Sequence, residues 1–219
     1  MTTSTPSRPD VSKGCIAEYE TMAALIEPLT EAQWDAPTRC RGFAVRDVAG
    51  HVIGLAEDTA KGVPGSRNAE LEAASVRHES PAGAAARLRA AIVPIQALLD
   101  TVDDDTWAGP SGVPDLTLGQ GVLTLWYDAY VHNDDIRAAL DRATDRGPGL
   151  EASVAYLARQ LDLRGYGPAT LTLEGLPRYD VGAGGREISG DPVAFVLAAT
   201  GRLDPAALGL DERVNIYAD

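Results

Sequence analysis

The sequence predicts a mainly α protein: an antiparallel four-helix bundle followed by a small α+β C-terminal domain. Two observations carry this. Across the first 145 residues, four long stretches place apolar side chains at helical spacing. Beyond them the pattern changes to short alternating strands divided by a glycine-rich turn. At 219 residues, with 45% hydrophobic and 23% charged residues, the chain can bury a substantial core. The expected organisation is a disordered tail over 1–10, the bundle over 11–146 and the small domain over 147–219.

The first helix is expected to start with Ser12 as N-cap, with Ile16, Tyr19, Met22, Ala23 and Ile26 on one face. Thr30 and Gln33 make a capping-box pattern for a short helix holding Trp34. From Val45 a second long helix carries Val48, Ala49, Val52, Leu55 and Ala56 as its stripe. Ser80-Pro81 is an N-cap and first-turn pair for a third, running to about Val102 with Pro94 as an expected kink. Thr117 caps the fourth, which continues to about Leu140. The segments 62–79 and 103–117 read as loops. In the C-terminal part a helix near Glu151 to Leu163 precedes the strand Ala169 to Glu174. Strands at 178–181 and 186–189, a helix over 191–200 and a final strand over 214–217 complete it.

The formal net charge of −13 repels phosphate backbones and anionic lipid headgroups, so neither nucleic acid nor membrane is an expected partner. The polar, proline-bearing start lacks the apolar core of a secretory signal. A reducing cytoplasm is the expected location, with Cys15 and Cys40 as free thiols. Cys40 reads as a structural or incidental thiol rather than a nucleophile.

Chemistry concentrates in the fourth helix. Asp128 and His132 stand at i and i+4, so both project from one helix face and can chelate one ion. Asp135 at i+7 lies on nearly the same line and suits an imidazole N–H. His51, on the edge of the second helix's apolar stripe, supplies a third donor, as metal sites between facing bundle helices do. Two imidazoles, one carboxylate and an open position suit zinc or another first-row divalent ion. The remaining histidine, His78, sits in a polar run and reads as a solvated loop residue.

The runs Leu29-Thr-Glu-Ala-Gln-Trp34, Pro37-Thr-Arg-Cys40 and Gly42 through His51 resemble the N-terminal signature of the mycothiol-dependent maleylpyruvate isomerase family, within the DinB-like superfamily of four-helix metal proteins. Asp128-Ala-Tyr-Val-His132-Asn-Asp-Asp135-Ile-Arg137 is similar to that family's fourth-helix motif. Gly190 to Phe195 with Thr200-Gly-Arg202 is similar to its small C-terminal domain. The resemblance implies a divalent metal, zinc above all, held by His51, Asp128 and His132, with mycothiol as cosubstrate. Two positions depart from the family pattern: Asp128 replaces the isomerase's glutamate, and Phe43 replaces the usual tryptophan. Aspartate does occur at that place among the thiol S-transferase-like members, so the resemblance keeps the metal and weakens the isomerase reading.

The expected function is therefore a mycothiol-dependent S-transferase or isomerase acting on a small electrophile. Arg202 reads either as a catalytic residue that would contact a substrate carboxylate or as a structural arginine at a helix C-terminus, and Asp135 is a second candidate, which would steady a metal ligand. A hydrolase activating water in the same site, and a metal- or ligand-binding module without turnover, stand as the alternatives. The electrophile, the metal's identity and the choice between monomer and homodimer stay open.

Overall fold

A computed structural model describes residues 6–218. The chain forms the predicted helical bundle followed by a small α+β unit, and the two compact units divide at Thr144 and Asp145. In the first unit the long helices are α1 (Arg8–Ile26), α3 (Val45–Ala60), α5 (Pro81–Thr101) and α7 (Leu118–Ala139), with the short α2 (Glu31–Trp34), α4 (Ala69–Ala74) and α6 (Asp104–Ala108) between them. Helices α1 and α3 each pack against both α5 and α7. Their core holds Tyr19, Met22 and Ile26 of α1, Val48, Val52 and Ile53 of α3, Leu88 of α5 and Ile136 of α7.

Local chemistry fixes the helix starts. Thr30 and Gln33 close a reciprocal capping box on α2, and Thr117 and Gln120 close one on α7. The Ser80 hydroxyl accepts from Gly83 N–H at the head of α5, beside Pro81. The helix runs on through Pro94 to Thr101. Among the described residues α5 is the one helix long and apolar enough to cross a membrane by length and composition. Its Leu88, Ile92, Ile95 and Leu99 are buried where it meets α1 and α3.

Several expectations are corrected. Helix α1 begins at Arg8, not after Ser12. Arg8 donates to the Val102 carbonyl and pairs with Asp104 at 3.2 Å, which ties the first turn to the end of α5 and the head of α6. The expected disordered tail thus ends before Arg8, and its residues 1–5 lie outside the described ones. The segments read as loops contain α4 and α6, started by Asn68 and Asp103 as N-caps. Both helices are too short to show a periodicity. His78 lies in an exposed turn, as expected.

In the second unit α8 (Pro148–Leu163) packs against α9 (Pro192–Ala199) and β2. The sheet order is β2-β1-β3, with β1 (Ala169–Leu173) antiparallel to β2 (Tyr179–Val181) and parallel to β3 (Arg186–Gly190). The turn after Val181 carries the chain past the start of β1, and there Gly185 comes so close that a Cβ would stand 2.8 Å from the Pro168 carbonyl oxygen. The strand expected at 214–217 is absent. Asp211 caps a 3₁₀ turn over Glu212–Val214, and Ile216 N–H donates to Ala199 O at the end of α9. Val214 and Ile216 are buried and Asn215 and Tyr217 less so, which imitated a strand's alternation.

Candidate metal centre

Helices α3 and α7 are entered in the same way. An antiparallel bridge, Pro37 with Ala44 before α3 and Pro110 with Thr117 before α7, closes a loop that sets the first helical turn. Ala44 N–H then donates to Asp47 Oδ2 at 2.9 Å, which secures the start of α3. Two turns in, His51 faces α7.

The structure brings His51, Asp128 and His132 together. His51 Nε2 lies 3.4 Å and His132 Nε2 3.5 Å from the same oxygen, Asp128 Oδ1. The imidazoles meet edge to face at 84°, with centroids 5.0 Å apart. Such separations are long for hydrogen bonds. Donors around a tetrahedral zinc with bonds of roughly 2.0–2.1 Å stand about 3.3 Å apart, so the spacing fits a shared ion. Asp128 Oδ2 is buried and takes no hydrogen bond. A buried, unpartnered carboxylate oxygen is costly unless a cation meets it. The donor set and this orphaned oxygen together fit a divalent metal.

The electrostatics agree. Burial opposes ionisation of Asp128, yet His132 and His51 hold its carboxyl far below the ordinary range. Burial also disfavours a charged His51, but Asp128 and Glu72 outweigh it and pull the imidazole up to about 9. His132 is raised as well, against burial, by Asp128, Asp135 and Cys40. The Asp128 carboxylate thus favours positive charge at the point where both Nε2 atoms meet it.

Each imidazole is held from behind. His132 Nδ1 donates to Asp135 Oδ2 at 3.0 Å, and Asp135 is wholly buried. Cys40 Sγ donates to the same oxygen at 2.9 Å, and Arg39 pairs with Asp135 Oδ1 at 3.2 Å and with Asp134 at 2.7 Å. His51 Nδ1 donates to Glu72 Oε2 at 2.7 Å. Both rings therefore turn Nε2 toward Asp128. Cys40, His132 and Asp135 also lie close enough to hold an ion, but the Arg39 guanidinium disfavours a cation there. That cluster works as a hydrogen-bonded clamp.

Sequence reading missed Glu72 and gave Arg39 and Cys40 no part in the site. Glu72 lies 21 residues from His51, in a segment read as loop. Cys40 lies 95 residues from Asp135, and nothing in its spacing points there. The one signal for Glu72 was Asn68 ahead of Glu-Leu-Glu, a helix start with an acidic first turn. Arg202 belongs to the second unit, in the turn after α9. It donates to the Thr200 carbonyl at 3.1 Å and borders a cavity of about 430 Å³ with Gly201, Asp204, Glu212 and Asn215.

Comparison with solved structures gives the fold a context. A histidine-to-alanine mutant of the mycothiol-dependent maleylpyruvate isomerase matches over 97% of this chain and 98% of its own, with TM-score 0.66 and 14% identity. Another crystal structure of the mycothiol-dependent maleylpyruvate isomerase matches over 92% of each chain, with TM-score 0.62 and 16% identity. At such identities the likeness establishes the shared DinB-like fold. No curated protein sequence matches. The family model of the mycothiol maleylpyruvate isomerase N-terminal domain matches residues 15–137, more than half of the chain and the stretch that carries His51, Asp128 and His132. The chain therefore belongs to the mycothiol maleylpyruvate isomerase N-terminal domain family.

Proposed function

We propose that this protein is a metal-dependent, cytoplasmic enzyme that uses mycothiol to isomerise a small electrophile or to conjugate it. The observation that carries the reading is the convergence of His51 Nε2 and His132 Nε2 on Asp128, whose second oxygen is buried and unpartnered. Family membership supports the thiol as cosubstrate. His51, Asp128 and His132 would hold a zinc ion, whose Lewis acidity would lower the pKa of a thiol bound beside them.

The chain's own residues do the rest. Glu72 and Asp135 hold the two Nδ1 protons, which leaves both Nε2 lone pairs for the ion. Asp128 contributes the negative charge. The limited exposure of both imidazoles, 15% each, restricts competing water. In isomerisation the thiolate sulfur forms a bond to one carbon of a cis double bond, and the remaining single bond rotates. The S–C bond then breaks, its electron pair leaving with sulfur, as the trans double bond re-forms and the thiolate is recovered. In conjugation the S–C bond persists, and a proton adds to the neighbouring carbon. Aspartate at 128, one methylene shorter than glutamate, favours conjugation. Reduced thiol and free Cys15 and Cys40 accord with a reducing compartment.

The test is turnover of maleylpyruvate and of a chromogenic electrophile, each with and without mycothiol and after EDTA treatment. Thiol-dependent activity should vanish on chelation and return with zinc, and His132→Ala should lower it by about 100-fold or more. Turnover that persists without thiol or after metal removal overturns the proposal.

A further inference from the structure

We propose that Glu72 is a positioning residue for the metal, brought to His51 by two glycines that let α4 seat on α3. The inference rests on the reading of His51 as a ligand. The Glu72 side chain is 3% exposed and accepts from His51 Nδ1 at 2.7 Å. Among the described residues no arginine or lysine lies within ion-pair distance of it, although the Arg67 guanidinium feels its charge. Asp135 differs, since Arg39 and Cys40 share its charge. The Glu72 carboxylate thus makes its close contact with one imidazole, which makes Nε2 the lone pair that faces Asp128 and makes it more basic.

The route to this contact runs through Gly50 and Gly54, one turn apart on α3. A Cβ at Gly50 would stand 2.5 Å from Val76 Cγ2 and 2.8 Å from the Ala73 carbonyl oxygen. A Cβ at Gly54 would stand 2.6 Å from Glu72 Cβ and 2.9 Å from Glu72 Cα. Backbone atoms cannot yield as a flexible side chain does, so any larger residue pushes α4 away. Interior glycine weakens a helix relative to alanine. Here that loss is offset by an approach close enough for a short helix to deliver a buried carboxylate. His51 lies between the two glycines in sequence, on the same helix whose other neighbour is α7.

The test is zinc affinity of the metal-stripped full chain, measured by competition with a chromophoric chelator. Glu72→Gln, which keeps an acceptor but loses the charge, should weaken zinc binding about 10-fold, and Glu72→Ala by up to about 100-fold. Gly54→Ala should weaken zinc in the same direction although it changes no polar group. Glu72→Asp, which keeps the charge a methylene short, should fall between wild type and Glu72→Ala. Melting of the metal-free proteins separates the alternatives, because a merely structural Glu72 lowers the melting temperature and leaves the zinc Kd unchanged. Folded Glu72→Gln and Gly54→Ala proteins that bind zinc within twofold of wild type overturn the inference. Wild type that takes up no zinc overturns the ligand assignment first, and the role of Glu72 with it.

Discussion

Asp128 offers one oxygen to two imidazoles and leaves the other buried without a partner. Its neighbours are arranged to match. Arg39 pairs with two buried carboxylates, Asp134 and Asp135. Arg39→Ala should therefore destabilise the fold by about 3–5 kcal/mol, because it takes the cation from Asp134 and leaves Asp135 only its contacts with His132 and Cys40. Urea denaturation of the metal-free protein checks this, and a loss under 1 kcal/mol would show that water reaches the pair. At this scale the sequence was legible where spacing is local. The i and i+4 spacing puts Asp128 and His132 on one face, and the apolar stripe of Val48 and Val52 orients His51. Glu72, Arg39 and Cys40 were illegible, since each reaches its partner across 21 or more residues and through a turn that only tertiary packing defines.

Among the elements, α4 depends on an anchor outside itself. Arg67 donates twice to Asp58 at 2.8 Å and once to the Gly54 carbonyl at 2.9 Å, which fixes the loop from α3 into α4. The Arg67 guanidinium holds the Asp58 carboxyl below the ordinary carboxylate range. A lowered folded pKa gives stability that is present above the unfolded value of about 3.9 and is lost as pH falls through the folded one. Asp58→Asn should thus cost about 2 kcal/mol at pH 7, and the difference from wild type should shrink below about pH 4. Urea midpoints at pH 7 and pH 3 measure it; a gap that stays constant refutes it. The long helices were readable from periodicity and caps. Helices α4 and α6 were not, at six and five residues, and the expected strand at 214–217 was an alternation produced by packing on α9.

Across the whole molecule, 32 acidic residues face 19 basic ones. Such a charge opposes any polyanion. Neither duplex DNA nor vesicles rich in phosphatidylserine should bind the protein at about 150 mM salt, where screening acts beyond roughly 8 Å. Gel retardation and vesicle flotation read this directly, and retention in either would reveal a basic surface that the sequence conceals. Division into a bundle and an α+β unit was visible as a change of period. The sheet's order β2-β1-β3 was not, because a turn that crosses an intervening strand has no signature in periodicity.

The loop closed by Pro37 and Ala44 has a dynamic consequence. It leads directly into α3, which carries His51, while its Arg39 and Cys40 grip Asp135 near the far end of α7. Opening the loop releases both helices at once. Amide hydrogens near Val48 and near Ile136 should therefore exchange with solvent as one cooperative unit, with a common opening free energy. Native-state exchange in low denaturant shows whether the two isotherms merge. If they do, a strap of eight residues sets how often the whole centre comes apart.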